Sequence, residues 1–187
     1  MKRSILKVIP ILAITLIASS CGTVGSRISG EYKFSQNDKL GLVAISSVII
    51  DKCGSVGGFN SFIRNVKDTG GGTPLIAKNF LMSPDIKNPY GHFFVFELPA
   101  GSYTITNASV TGFTLAARYS KKNSGINFSV NTNKIIYVGE VEYTVNADCN
   151  SYGTRLNNKW KRDRVLFSKR VPNINPNSVK ILNNKRI

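Results

Sequence analysis

The stretch that most constrains the fold is HFFVFELPAGSYTIT, residues 92–106. Apolar residues recur at every second position, as they do on one face of a β-strand. This alternation is interrupted only at PAGS, residues 99–102, which has the composition of a tight turn. The pattern predicts a β-hairpin with one apolar face, formed by Phe94, Phe96, Leu98, Tyr103 and Ile105.

Strand patterns extend from Leu40 to about Val145. KLGLVAISSVII, residues 39–50, is a continuous apolar run typical of a central strand. Further segments are GFNSFIRNV, GFTLAARYS and GINFSVNTNKIIYVGEVEY, which alternate polar and apolar residues between short turns. About seven strands with short connections predict a mainly β fold, an antiparallel β-sandwich like that of immunoglobulin domains, over residues 36–153.

The C-terminal part changes to a helical period. In KWKRDRVLFSKRVP, residues 159–172, the apolar side chains of Trp160, Phe167 and Val171 fall near one helical face. Pro172 should end this helix. We therefore expect residues 154–187 to form a basic helical tail packed on the sandwich.

The first 20 residues have the order of a bacterial signal peptide. Lys2, Arg3 and Lys7 precede an apolar run over residues 8–17, and the small residues Ala-Ser-Ser follow at 18–20. Ten helical residues span about 15 Å, roughly half of a bilayer core, so the run is too short for a transmembrane helix.

The next residue is Cys21, and LIASSC resembles the lipobox of bacterial lipoproteins. The resemblance implies that the Cys21 thiol carries a diacylglyceryl group that anchors the mature chain to a lipid bilayer. Gly22 stands where Asp would imply retention in the inner membrane, so the resemblance implies the outer membrane. The Gly- and Ser-rich composition that follows predicts a flexible tether over residues 21–35.

The chain is strongly basic, with 25 Lys and Arg against 10 Asp and Glu and a formal net charge of +15. Ten of the cations and one acid lie between Thr154 and Ile187. Such a balance indicates an anionic partner, either anionic lipid, lipopolysaccharide, a wall polymer or an acidic envelope protein; a solvated surface without a specific ligand is the alternative. The export signal disfavours nucleic acid. We expect Lys161, Arg162, Lys169 and Arg170 to point outward together and bind the anionic surface.

Cys53 and Cys149 are the two cysteines beyond the lipobox. An exported compartment permits disulfides, and an even pair favours one. We therefore predict a Cys53–Cys149 bridge, although two free thiols remain the alternative.

Residues 92–106 also resemble a hairpin common in transthyretin-like and carboxypeptidase-regulatory-like domains. NKIIYVGEVEY and DRVLFSKRVPN are similar to a following strand and a closing helix in bacterial lipoproteins with this sandwich. The resemblance implies a fold and a location in the cell envelope, but no activity.

Few residues suggest catalysis. Glu140 and Glu142 lie two residues apart on a predicted strand, about 7 Å along it, a spacing compatible with paired carboxylates, although such pairs usually face solvent. His92 opens a strand, where an edge position is favoured over a catalytic base. Gly70, Gly71 and Gly72 lack the Lys and Ser/Thr of a phosphate-binding loop. No cofactor or metal motif is present in the sequence.

We therefore expect a membrane-anchored, non-catalytic envelope lipoprotein that binds or scaffolds another envelope component. Two alternatives remain open. One is a cell-wall glycoside hydrolase using Glu140 and Glu142, and the other is an accessory lipoprotein of a secretion system.

Overall fold

A computed structural model describes residues 26–34, 39–54, 56–67, 72–79, 83–112, 118–119, 125–149 and 151–182. The described residues are mainly β, as the sequence predicted, and they form two sheets and one short helix. The predicted signal peptide over residues 1–20 and the predicted lipidation site, Cys21, lie outside the described residues. Within those residues, no helix has the length and apolar character needed to cross a bilayer.

The elements of the first half are β1 (Ser26–Arg27), β2 (Leu40–Asp51), β3 (Val56–Asn65), β4 (Thr73–Asn79), β5 (Tyr90–Pro99) and β6 (Gly101–Gly112). Those of the second half are β7 (Arg118–Tyr119), β8 (Asn127–Val130), β9 (Ile135–Val145), β10 (Tyr152–Asn157), α1 (Trp160–Arg170), a 3₁₀ turn (Pro176–Ser178) and β11 (Lys180–Ile181).

The strands form a six-stranded and a five-stranded sheet. Sheet A has the order β1-β5-β2-β9-β10, with β11 also paired to β9. Sheet B has the order β4-β3-β6-β7, with β8 also paired to β6. The expected number of about seven strands was too low within the described residues, because short edge strands such as β1, β7 and β11 carry no alternating pattern.

The expected antiparallel pairing is wrong at the centre of sheet A. There β2 runs parallel to β9, and β9 runs parallel to β11. All residues from Gly41 to Ile49 are buried in β2, as in strands that are covered on both faces. Because β2 is buried on both faces, its sequence lacks the alternation of polar and apolar residues that is typical of antiparallel strands.

The predicted hairpin over residues 92–106 is also wrong in its pairing. Strand β5 belongs to sheet A and β6 to sheet B, so the turn at 99–101 carries the chain from one sheet to the other. The Tyr103 hydroxyl donates to the Pro99 carbonyl, at 2.8 Å, across this corner. The apolar face was predicted correctly, since all five of its side chains enter the core between the sheets: Phe94, Phe96, Leu98, Tyr103 and Ile105.

Sheet A buries its other face under the helix and the N-terminal segment. The shared cluster includes Leu42, Ala44, Phe93, Val95 and Tyr137 from the sheet and Phe167 and Val171 from the helix region. Strand β10, residues 152–157, belongs to the same sheet, so the expected boundary between residues 153 and 154 cuts through a strand. The basic tail is therefore an integral part of the domain rather than an appendage.

The expected tether over residues 21–35 is too long. Ser26 and Arg27 pair with Glu97 and Phe96, and the Ile28 amide donates to the Val95 carbonyl at 2.8 Å. Further along, Tyr32 and Phe34 pack against the cluster under the helix. Residues 26–34 therefore belong to the folded domain, because the apolar side chains at 28, 32 and 34 offset the Gly and Ser content of this segment.

The strands define two ends of the domain, which we call proximal and distal according to their distance from the start of β1. At the proximal end, β5 meets β6 at 99–101 and β8 meets β9 at 131–134, with residues 39 and 66–67 beside these turns. At the distal end lie Lys52–Gly54 and the turn 146–149. A disulfide joins Cys53 and Cys149 there, with a Cα–Cα distance of 5.2 Å, which confirms the predicted pairing.

Candidate functional site

The helix α1 holds the predicted basic residues on the outer face of sheet A. Phe167 is fully buried and Val171 follows the helix end in the same cluster. The Trp160 ring lies 4.9 Å, centroid to centroid, from the Tyr137 ring. These contacts confirm the predicted apolar face of the helix, which ends at Arg170 before Pro172.

A buried polar network joins the start of the helix to the sheet. Arg162 donates to Glu140 at 2.7 Å through Nη1 and to Asp163 at 2.7 Å through Nε. Asp163 also accepts from the hydroxyls of Ser46 and Tyr137, each at 2.6 Å. Because Glu140, Asp163 and Ser46 are at most 1% exposed, their polar groups depend on one another for hydrogen bonds in place of water.

The charges of this network shift two ionisations. Burial lowers the pKa of Arg162, but the Asp163 and Glu140 carboxylates more than reverse this and raise it above its ordinary value. Burial and the Asp163 charge both raise the pKa of Tyr137, which keeps its hydroxyl protonated as a donor. The two carboxylates therefore favour the charged form of Arg162, whose side chain is 35% exposed.

A β-bulge brings Glu140 into this network. The register between β2 and β9 shifts after Ala44, so that Ala44 opposes Tyr137 while Ile45 opposes Gly139. Gly139 has φ +131°, a backbone conformation that suits glycine. The extra residue places Tyr137 and Glu140 on the same face of the sheet, three residues apart, where strict alternation would have separated them.

The structure does not arrange Glu140 and Glu142 as an open pair of carboxylates. The two side chains do share a face, since the Asn157 amide donates to Glu140 at 3.4 Å and to Glu142 at 3.2 Å. However, Glu140 is 1% exposed and ion-paired with Arg162. A buried, paired carboxylate cannot approach a glycan, so this geometry gives no support to the predicted hydrolase site.

A second ion pair fixes the other end of the helix. Arg170 Nη2 donates to both oxygens of Asp85, at 2.8 and 3.0 Å, and Asp85 also accepts from the Phe93 amide at 3.0 Å. His92 Nδ1 lies 3.9 Å from Asp85 Oδ2. Burial lowers the pKa of His92, although the Asp85 charge opposes this.

His92 does not occupy the edge position that its place in the sequence favoured. It is 1% exposed and faces Ser47 across the β2–β5 pair. In the part of the chain that the structure describes, neither His92 Nε2 nor the Ser47 hydroxyl has a hydrogen-bond partner. Both are sealed in the interior, so this juxtaposition offers no access to a substrate.

Of the four cations expected to point outward, two do so. Lys161 and Lys169 are exposed, while Arg162 and Arg170 turn inward to the two ion pairs. The error has a physical reason, because the guanidinium group forms fixed bidentate contacts with carboxylates that a lysine makes less well. The exposed side of the helix, hereafter the helix surface, consists of Lys161, Arg164, Val165 and Lys169.

A groove of about 710 Å³ opens at the proximal end, between β8 and the start of β9. Its apolar lining includes Tyr103, Phe128 and Leu182, and its charged lining residues are Lys134 and Lys180. Elsewhere in the described ranges, no three His, Cys, Asp or Glu side chains cluster in a way that could hold a metal ion.

Comparison with known proteins assigns no family. No protein-family description matches the chain, and no curated protein is significantly similar. Among solved structures, a leucine-rich repeat protein from Bacteroides thetaiotaomicron matches with 12% identity and a TM-score of 0.34. The match covers 71% of this chain but 16% of that protein, and a similarity of this size carries no argument about fold or function.

Proposed function

We propose that this protein is a lipid-anchored protein of the bacterial cell envelope that binds an anionic envelope component through the helix surface. The anchor is the acylated Cys21, and the signal peptide 1–20 directs export. The role is binding or scaffolding and not catalysis.

The observation that carries the proposal is that some cations of α1 are ion-paired to the rest of the domain while others are exposed. Arg162 and Arg170 fix the helix to the sheet through Glu140, Asp163 and Asp85. Lys161, Arg164 and Lys169 remain exposed on the same helix. The one acidic residue of the helix, Asp163, is fully buried and ion-paired with Arg162, so it offers no carboxylate on the exposed side of the helix.

A rigid cationic surface suits a partner with repeated negative charges. Each cation near an anionic surface is worth about 1 kcal/mol, and salt weakens this attraction within about 10 Å. Three such cations give about 3 kcal/mol, or roughly a hundredfold in affinity. Lipopolysaccharide, a wall polymer and an acidic envelope protein all meet this description.

A charge-matched pair of variants tests the proposal. In the exported chain with Cys21→Ser, Lys161, Arg164 and Lys169 are changed to Gln, and binding to purified lipopolysaccharide is measured at low and high salt. The control changes Lys52, Lys87 and Arg155, which are exposed and lie outside the helix, to Gln. We expect the helix variant to bind roughly a hundredfold more weakly than the control. Equal losses in both variants would show that net charge alone attracts the ligand.

For the fold, we infer a β-sandwich related to the transthyretin-like class that residues 92–106 resemble. Support comes from two sheets that enclose one apolar core. The segment that carries the resemblance forms a corner between the sheets in place of a hairpin. The parallel pairing of β2 with β9 departs from an all-antiparallel sandwich. No observation favours a glycoside hydrolase or a specific secretion system over general binding.

A further inference from the structure

The start of β1 limits the distance between the domain and its anchor. Strand β1 runs antiparallel to β5, with Ser26 opposite Glu97 and Arg27 opposite Phe96. The chain therefore enters β1 from the side of Pro99, which belongs to the proximal end. From Cys21 to Ser26 there are five residues, which span at most about 18 Å even when fully extended.

The domain is long compared with this tether. Strand β2 has 12 residues and extends between the two ends. At about 3.3 Å per residue, it is roughly 40 Å long. A tether of at most about 18 Å that is attached at the proximal end is too short to hold the distal end against the same bilayer.

The proximal end also has the chemistry of a surface that contacts phosphate headgroups. Hydrogen bonds join its turns, from the Ala100 amide to the Lys39 carbonyl at 2.7 Å and from the Val66 amide to the Ser102 carbonyl at 2.9 Å. Lys39, Lys67 and Lys134 are exposed there, and Val66 is 59% exposed beside them.

The carboxylates at the two ends are arranged differently. At the proximal end, Glu97 is half-buried and accepts a hydrogen bond from the Tyr32 hydroxyl. At the distal end, Asp51 is also half-buried and accepts hydrogen bonds from the Cys53 and Gly54 amides. Asp148, however, is exposed beside the disulfide, so a described carboxylate accompanies Lys52 there. The described residues of the proximal turns thus favour an anionic lipid surface more than those of the distal end.

We infer that the proximal end faces the bilayer that holds Cys21, with Lys39, Lys67 and Lys134 against the lipid headgroups. This inference rests on the proposed acylation of Cys21. It places the helix surface, which lies on the outer face of sheet A, to the side of the domain rather than against its own membrane. The helix surface is then available to a second envelope component.

Photo-crosslinking to lipid tests the orientation in the full lipidated protein. A photoreactive amino acid is introduced at Thr132 in the proximal turn, at Ala147 in the distal turn or at Val165 on the helix surface, each an exposed position. The protein is isolated in its native membranes, irradiated, and analysed for covalently attached phospholipid. We expect at least a fivefold excess of lipid adducts at Thr132 over both other positions.

The outcomes separate the two proposals. Protein that is absent from the membrane fraction refutes the proposed anchor itself. Membrane-bound protein with equal or greater crosslinking at Ala147 or Val165 refutes the orientation and leaves the anchor in place. In a further variant, twenty Gly and Ser residues are inserted before Ser26 and the three proximal lysines are changed to Gln. An unchanged Thr132 excess there would show that neither feature orients the domain.

Discussion

Replacing Arg162 with Gln should destabilise the domain strongly, because Arg162 is the cation that compensates two buried carboxylates. Asp163 is 0% exposed and Glu140 is 1% exposed, and both hydrogen-bond to the guanidinium group. Removing one partner of a buried ion pair costs about 3–5 kcal/mol. The Arg162 side chain is itself 35% exposed, so we place the loss at the lower end, about 3 kcal/mol.

Urea denaturation measures this loss directly. With a slope of about 2 kcal/mol per molar urea, the midpoint should fall by roughly 1.5 M, and the melting temperature by about 6–12 °C. Lys161→Gln removes the same charge from the neighbouring position, where the side chain is exposed. This control should change the free energy of unfolding by no more than about 0.5 kcal/mol.

A second substitution tests whether unpaired charge causes the effect. Glu140→Gln in the Arg162→Gln background removes one uncompensated carboxylate and should restore part of the lost stability. A loss below about 1 kcal/mol for Arg162→Gln, or no recovery in the double variant, would refute the argument that this network holds the helix on the sheet.

Three further predictions concern stability. Gly139→Ala should lower the free energy of unfolding by about 1–3 kcal/mol, because φ is +131° and the added carbon would lie 2.9 Å from the Asn157 carbonyl oxygen. The control Gly153→Ala, whose added carbon would have no atom within 4 Å, should cost less than half as much. Reducing the Cys53–Cys149 bridge should lower the free energy of unfolding by about 3–5 kcal/mol, and titration of the unreduced, unfolded Cys21→Ser chain should find no free thiol. Burial lowers the pKa of His92, the one histidine of the chain, so the unfolded state takes up a proton at a higher pH than the folded state does. The free energy of unfolding should therefore fall as the pH drops below about 6.5, and His92→Gln should flatten this dependence.

The apolar pattern predicted which side chains enter the core but not which strands pair. Phe94, Phe96 and Leu98 point into the space between the sheets whether the next strand pairs with β5 or faces it from the other sheet. A corner and a hairpin therefore require the same alternation and the same small turn residues. The long-range pairing of β5 with β1 and β2, and of β6 with β3, decides between them.

The polar network under the helix also depends on long-range contacts, so it could not be predicted from the sequence pattern either. Ser46, Asp163 and the pair Tyr137 and Glu140 come from three separate segments of the sequence, and the bulge at Gly139 changes the face on which Glu140 lies. One local signal was present, an aspartate among the apolar and basic residues of the helix. A carboxylate at Asp163 that neighbours Arg162 can indicate an internal ion pair as well as a solvated one.

The N-terminal segment was misjudged because composition was considered without its apolar residues. Gly and Ser favour a flexible tether, but Ile28, Tyr32 and Phe34 each pack on the sheet A cluster. The hydrogen bonds between Tyr32 and Asn173 then join this segment to the chain after the helix. The predicted disulfide and the apolar face of the helix depended on simpler rules and are confirmed.

The most direct test of the account is the chemical state of residue 21 in the native membrane. Mass spectrometry of the N-terminal peptide should show a mature chain that begins at Cys21 and carries a diacylglyceryl group. Cys21→Ala should abolish fatty-acid labelling and release the protein from the membrane fraction. A mature chain that begins elsewhere, or fatty-acid labelling that is equal in the wild-type protein and Cys21→Ala, would contradict the lipid-anchored function proposed for this protein.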